Sequence, residues 1–414
     1  MHTSSGKKTL ILLIVFLTVF SYYAVSQTDI PPNSLPVKTH HLRKDSAVNE
    51  ADITDVFGKL LHSKTAAQQD SIRRADKFHF SLLPAVGYTL QTRLAAIIAG
   101  NLAFYNSNQS NEKISSIYFN VAYTQNKQFT IPVQSSIWTS NNKLNFVGDW
   151  RFMKYPQNTY GLGGDNSLDN AELIDYSYIR LYETVYKKIV GNFYAGIGYN
   201  MDYHYDIEEE APDSLSDFKK YGDKAKTFAS GPSLSLLFDN RENSINPSSG
   251  VYGNVQYRSN LQALGSDNNW QSLVVDLRKY FPIQNHNVLA FWSYSWLILS
   301  GKPPYLLLPS TSWDTYTNTG RGYIQGRFRS NYMLYLEGEY RFRITDNGLL
   351  GGVIFANAQS FSQYSTSNFE YVQPAAGLGL RIKLNKLSKT NVTIDYGFGK
   401  GASHGLFINV GEVF

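Results

Sequence analysis

Cysteine is absent from all 414 residues, which removes disulfides, thiolate metal ligands and thiol chemistry from consideration. No cysteine follows the N-terminal apolar run, so lipoprotein processing is excluded as well. Beyond that run there is no stretch of about 18 consecutive apolar residues, the length a helical span requires. Charged residues make up 17% of the chain, and the net charge of +5 is not gathered into a basic cluster. The composition therefore does not point to nucleic acid. What the chain does contain is 30 Tyr, 24 Phe and 31 Gly, a balance unusual for a soluble domain and common in barrels belted by aromatic side chains.

The N-terminus reads as an export signal. Lys7 and Lys8 precede the apolar run from Leu10 to Phe20, and Tyr22-Tyr23-Ala24-Val25-Ser26 places small residues where a signal peptidase cuts. Cleavage is expected after Ser26, making residues 1–26 a signal peptide. Residues 27–77 are expected to form a periplasmic linker, extended around Pro31, Pro32 and Pro36. Within it, Ile53, Val56, Phe57, Leu60 and Leu61 recur at helical spacing and predict a short amphipathic helix, resting on the barrel or docking on a partner. His40 and His41 lack further ligands, so no metal site is expected there, and no cofactor is expected anywhere.

Period-two segments alternate with turn-rich stretches from Phe78 to Phe414. Phe193, Ala195, Ile197, Tyr199, Met201 and Tyr203 form one face of a strand whose other face is small or polar. In the segment from Tyr332 to Arg343, Leu334, Leu336, Tyr340 and Phe342 oppose Glu337, Glu339, Arg341 and Arg343. Val392, Ile394, Tyr396 and Phe398 alternate with Thr393 and Asp395. A sandwich also alternates, but a charged inner face belongs to a closed barrel in lipid, where every backbone group is paired and the lumen is wet. The predicted fold is an all-β, transmembrane antiparallel β-barrel over residues 78–414. Roughly 340 residues at about 21 per strand and connection give sixteen strands, with fourteen left open by the arithmetic. Two long connections are expected outside, from His204 to Lys226 and over residues 301–331. The terminal segment places Leu406, Ile408, Val410 and Phe414 on one face.

Inside the second connection stands Gly320-Arg321-Gly322-Tyr323, then Gly326-Arg327-Phe328-Arg329, then the strand carrying Glu337 and Glu339. This pattern resembles the BamA/TamA superfamily of outer-membrane assembly and secretion barrels, the bacterial surface-antigen type. Phe238-Asp239-Asn240-Arg241 with Asn246-Pro247-Ser248-Ser249-Gly250 is similar to a family hairpin. Leu83 to Tyr88 is similar to the family's first strand, and Gly377 to Arg381, Asp395-Tyr396-Gly397 and Gly411 to Phe414 to its last three.

The resemblance implies that the long loop folds into the lumen and that Arg321 locks onto inward carboxylates. Glu337 and Glu339 are the expected partners, and Gly322 and Tyr323 complete the tip. A guanidinium stays charged and presents a rigid fork of donors suited to this task. Asn357 stands where the family commonly has an aspartate, and it is expected to accept a hydrogen bond from Arg321. A lateral seam is expected between the first strand, with Phe80 and Leu82, and the last, with Ile408, Val410 and Phe414. Residues 27–77 are too few, and wrongly patterned, for the polypeptide-transport-associated domains of roughly 75–80 residues that such barrels usually carry.

Location in the outer membrane of a Gram-negative bacterium follows from these features, with outer-membrane lipids and lipopolysaccharide as surroundings. The expected role is assembly, insertion or translocation of proteins or lipids, served by client outer-membrane proteins or a periplasmic accessory protein. A solute pore gated by the loop and a surface scaffold for a partner remain as alternatives. No enzyme is expected, because Ser403 and His404 are adjacent on a strand and point to opposite faces.

Overall fold

The computed structural model describes residues 50–53, 55–56, 78–89, 91–106, 112–209, 216–222, 224–386 and 388–414. The expected signal peptide, most of the expected linker and the greater part of the predicted apolar stripe, including Phe57, Leu60 and Leu61, lie outside the described residues.

Seventeen strands follow one another: β1 (Phe78–Thr89), β2 (Arg93–Phe104), β3 (Ser115–Thr124), β4 (Phe129–Trp138), β5 (Leu144–Lys154), β6 (Gln157–Thr159), β7 (Glu172–Val190), β8 (Phe193–Glu209), β9 (Lys226–Asp239), β10 (Gly250–Asn260), β11 (Trp270–Pro282), β12 (Val288–Gly301), β13 (Tyr332–Arg343), β14 (Leu350–Phe361), β15 (Gln373–Asn385), β16 (Thr390–Gly399) and β17 (His404–Val410). All ladders are antiparallel between chain neighbours. β5 and the three-residue β6 both pair with β7, so β6 continues β5 past a break at Tyr155 and Pro156. The wall therefore has sixteen strands, as the repeat length predicted.

Alternation fixes the two faces. Val86, Ile197, Leu236 and Leu378 are each about two-thirds exposed, an arrangement stable only when the surrounding solvent is hydrocarbon. Inward positions carry Asp149, Arg151, Arg180, Asp202, Arg258, Glu337, Glu339 and Asp395, all buried. Two expectations need correction. β8 runs on to Glu209 and buries His204 against the Tyr178 ring at 4.1 Å, so the connection predicted from His204 begins later. The chain also leaves β17 at Val410, and Gly411, at φ +101°, turns the last residues inward. Phe414 is 3% exposed in the lumen and does not share the outward face of Leu406, Ile408 and Val410.

At the end with the short turns, Arg343 pairs with Glu50 at 2.7 Å, Lys386 with Asp55 at 3.0 Å, and Ala51 N–H donates to Asn347 O at 3.0 Å. The described part of the N-terminal segment is thus pinned beneath the β13–β14 and β15–β16 turns.

Candidate functional site

The segment after β12 returns into the lumen because its residues are built to turn and to be buried. Asp314 organises the descent: Oδ1 accepts from Asn318 N at 3.0 Å, Thr319 N at 2.8 Å and Thr319 Oγ1 at 2.7 Å. Arg151 of β5 donates to Thr315 O at 2.5 Å, tying this limb to the wall.

At the tip, Gly320 (φ +79°) and Gly322 (φ +108°) occupy a region of backbone space that side chains rarely tolerate. A methyl group at Gly322 would lie 2.8 Å from Ala375 Cβ, and one at Gly397 would lie 2.7 Å from Gly322 N. The loop backbone therefore rests directly on β15 and β16. Tyr323 anchors the far side, donating to Pro374 O at 2.6 Å and accepting from Lys400 N at 2.9 Å. Gly322→Val is expected to prevent docking of the tip. Protease cleavage within residues 302–331 of the purified barrel, absent in the unmodified protein, would report it.

Arg321 is 1% exposed and meets three carboxylates. Its Nη2 donates to Glu337 and Glu339, and its Nη1 donates to Asp395 Oδ2 at 2.5 Å. The guanidinium also lies over the Phe355 ring, 3.8 Å from the centroid, which adds a cation–π contact in a desolvated place. Both predicted partners are brought together, but the third, Asp395, escaped the sequence reading. Its parity placed it in the lumen, yet parity carries no register between β13 and β16. Gly379, opposite Asp395 in the ladder, leaves the space into which that carboxylate leans. Asn357 is in the site with a different role from the one expected. Its Nδ2 donates to the backbone carbonyl of Arg321 at 2.9 Å, so it holds the tip by its backbone and not by the guanidinium.

These carboxylates are shared with the chain terminus. Arg341 bonds Glu339 at 2.7 Å and donates to Phe414 O at 2.9 Å. Arg381 bonds Asp395 and, at 2.8 Å, Glu412. Phe414 stacks on Trp292 with centroids 5.2 Å apart, and Asn318 donates to Val413 O at 2.8 Å. Loop lock and terminal tail thus form one buried network of three guanidinium groups and four carboxylates. A cavity of about 530 Å³ remains beside it, bordered by Asn101, Gln134, Arg151, Tyr182 and the terminal residues.

The seam residues fall as follows. Phe80 and Leu82 project outward from β1, and both are more than half exposed. Ile408 and Val410 lie on β17 and pair with Ile394 and Val392 of β16. Among the described residues no ladder register joins β17 to β1, although their Cα atoms approach within 8 Å.

A sixteen-stranded wall, an inward loop and an arginine lock at its tip define an outer-membrane barrel plugged by its own loop. Residues 85–398 match the model of the Omp85 superfamily domain. The chain belongs to that superfamily, and it is an outer-membrane protein of a Gram-negative bacterium. Among solved structures it is similar to BamA from Haemophilus ducreyi lacking POTRA domains 1–3, with TM-score 0.53 and 15% identity over 81% of this chain and 70% of that one. It is also similar to CdiB from Acinetobacter baumannii (TM-score 0.52, 11% identity) and CdiB from Escherichia coli (TM-score 0.50, 10% identity). Each match covers 81% of this chain, which spans 60% and 62% of those two chains. At these identities the likeness concerns the fold. No curated protein sequence matches the chain.

Proposed function

We propose that this barrel assists the assembly, insertion or translocation of proteins at the outer membrane, using the β1–β17 seam as the place where client strands engage. The observation that carries this reading is the unequal seam. β1 has 12 residues and β17 only 7, and after Gly411 the chain turns away from β1 into the lumen. An edge with unpaired N–H and C=O groups is a template for another strand. Superfamily membership supports the same role, which is non-enzymatic. Partners would be client outer-membrane proteins and a periplasmic accessory protein. The segment at Glu50 to Asp55, pinned to the periplasmic turns, is a suitable place for that protein to arrive.

The natural lack of cysteine makes the test clean. Leu82→Cys on β1 and Ile408→Cys on β17 would be joined by a short bismaleimide in cells depleted of the unmodified protein, and outer-membrane proteins quantified. The expected result is that particular barrels or surface proteins fall on depletion, recover with the unlinked double variant, and stay low once it is linked. An outer-membrane proteome unchanged by depletion, or full recovery with complete cross-linking, would overturn the proposal.

A further inference from the structure

The outward face carries a carboxylate in an unexpected place. Glu183 of β7 is exposed and lies on the same face as Leu181 and Val185. Asp175 is eight residues away toward the outer end and Lys187 four residues away toward the periplasmic end. At a rise of about 2.5 Å per tilted residue, Glu183 stands about 10 Å inside the apolar band measured from Lys187. Its ladder partners agree: Gly148 is central in the outward run Leu144, Phe146, Trp150, Phe152 of β5, and Tyr199 is central in that of β8. Among the described residues, the other outward carboxylates of the wall lie near strand ends.

The surroundings are shaped around this group. Gly148 leaves a notch: a methyl group there would sit 3.0 Å from Glu183 Oε1 and 2.9 Å from Ser135 Oγ. Trp150 Nε1 donates to Glu183 Oε1 at 2.7 Å. Tyr199, Ile197, Phe146 and Trp150 surround the notch and are all exposed. A carboxylate facing lipid costs stability that leucine in its place would not, and ionisable groups inside the membrane are by default sites of interaction. One indole donor leaves the second carboxylate oxygen needing a partner that hydrocarbon does not supply.

We propose that the outward face of β4, β5, β7 and β8 around Glu183 is a lateral docking surface for a second integral outer-membrane protein, whose wall offers a basic or hydrogen-bond-donating side chain at this depth. Depth decides between lipid and protein. Amine headgroups lie at the ends of the strands, whereas a transmembrane wall carries donors at every level. The residues match what interfaces use: small residues that let backbones approach, a central polar group, and Trp and Tyr around it. The surface lies on strands other than β1 and β17, so it can hold a partner without occupying the seam.

The test is site-specific photocross-linking in native outer membranes. p-Benzoylphenylalanine replaces Ile197 beside the notch or Leu378 on β15 as a control. The expected result is one adduct of discrete mass from position 197 and none from 378. Glu183→Leu should lower that adduct at least tenfold, and Glu183→Gln should retain part of it, because the amide still accepts a hydrogen bond. Both variants should keep heat-resistant migration on a gel, and if Glu183→Leu does not fold, the Gln variant carries the comparison. No adduct at 197, equal adducts at both positions, or an adduct unchanged by either substitution would overturn the proposal. An adduct of two copies of this chain would overturn it in favour of self-association.

Discussion

Arg321→Ala is expected to abolish heat-resistant folded migration of the purified barrel and to release the loop from the lumen. In the folded protein three guanidinium groups, from Arg321, Arg341 and Arg381, face four carboxylates, from Glu337, Glu339, Asp395 and Glu412. Removing Arg321 leaves three of those carboxylates short of a partner in a place that water barely reaches. Removing one member of a buried pair costs about 3–5 kcal/mol, because the remaining charge is stranded. That corresponds to about two to three and a half orders of magnitude in the locked-to-unlocked ratio. Arg321→Lys keeps the charge but not the fork, and a single ammonium is not expected to span Asp395 on one side and both glutamates on the other. It should fall between the two. Combining Arg321→Ala with Glu337→Gln and Asp395→Asn should restore part of the loss, since the stranded charge is then gone. The midpoint of the heat-induced mobility shift measures all four proteins. An Arg321→Ala barrel with an unchanged midpoint would show that the loop is held by Tyr323 and its glycines instead.

The second large effect is expected at the other end of the same network. Phe414→Ala removes a ring stacked on Trp292 and packed near Tyr280. A buried Phe→Ala change costs about 3–5 kcal/mol when the site cannot collapse, and the rigid ladder from β11 to β13 gives it little freedom to do so. The tail should then leave the lumen, depriving Arg341 of the Phe414 carbonyl and Arg381 of Glu412. Two observations are expected together: the midpoint falls, and carboxypeptidase removes terminal residues that are protected in the unmodified barrel. Asn318→Ala breaks the bond between the loop and Val413 O and should produce the carboxypeptidase sensitivity with a smaller loss of stability. A protected terminus in Phe414→Ala would mean that the polar contacts of Glu412, Val413 O and the terminal backbone oxygen hold the tail without the ring.

The alternation of residue type made the wall legible in the sequence. Tyr332 to Arg343 reads as a strand with Glu337 and Glu339 inward, and the structure has that strand at those bounds. Segment length pointed to about sixteen strands and left fourteen open, because a bilayer of fixed thickness admits strands of nearly fixed length. Arg321 was legible through resemblance: Gly320-Arg321-Gly322-Tyr323 and the strand after it are similar to a superfamily whose inward loop carries an arginine at its tip.

What stayed hidden depended on register and on closure. Asp395 could be assigned to the lumen from parity alone, but which inward carboxylate meets Arg321 is set by the stagger of four strands, which no single segment encodes. The tail was hidden for a related reason. Leu406, Ile408, Val410 and Phe414 satisfy period two, and only the inward turn at Gly411 separates Phe414 from the rest. Glu183 is not legible in the sequence, because its neighbours there are ordinary for a strand; its meaning comes from Gly148, Trp150 and Tyr199 on adjoining strands. The sequence by itself determined the faces, the strands and the membrane, since these follow from local periodicity and the solvent on each side. The tertiary structure decided that Asp395 and the terminal tail join Arg321 and its two glutamates, because pairing across a barrel is fixed by the shear of the whole sheet.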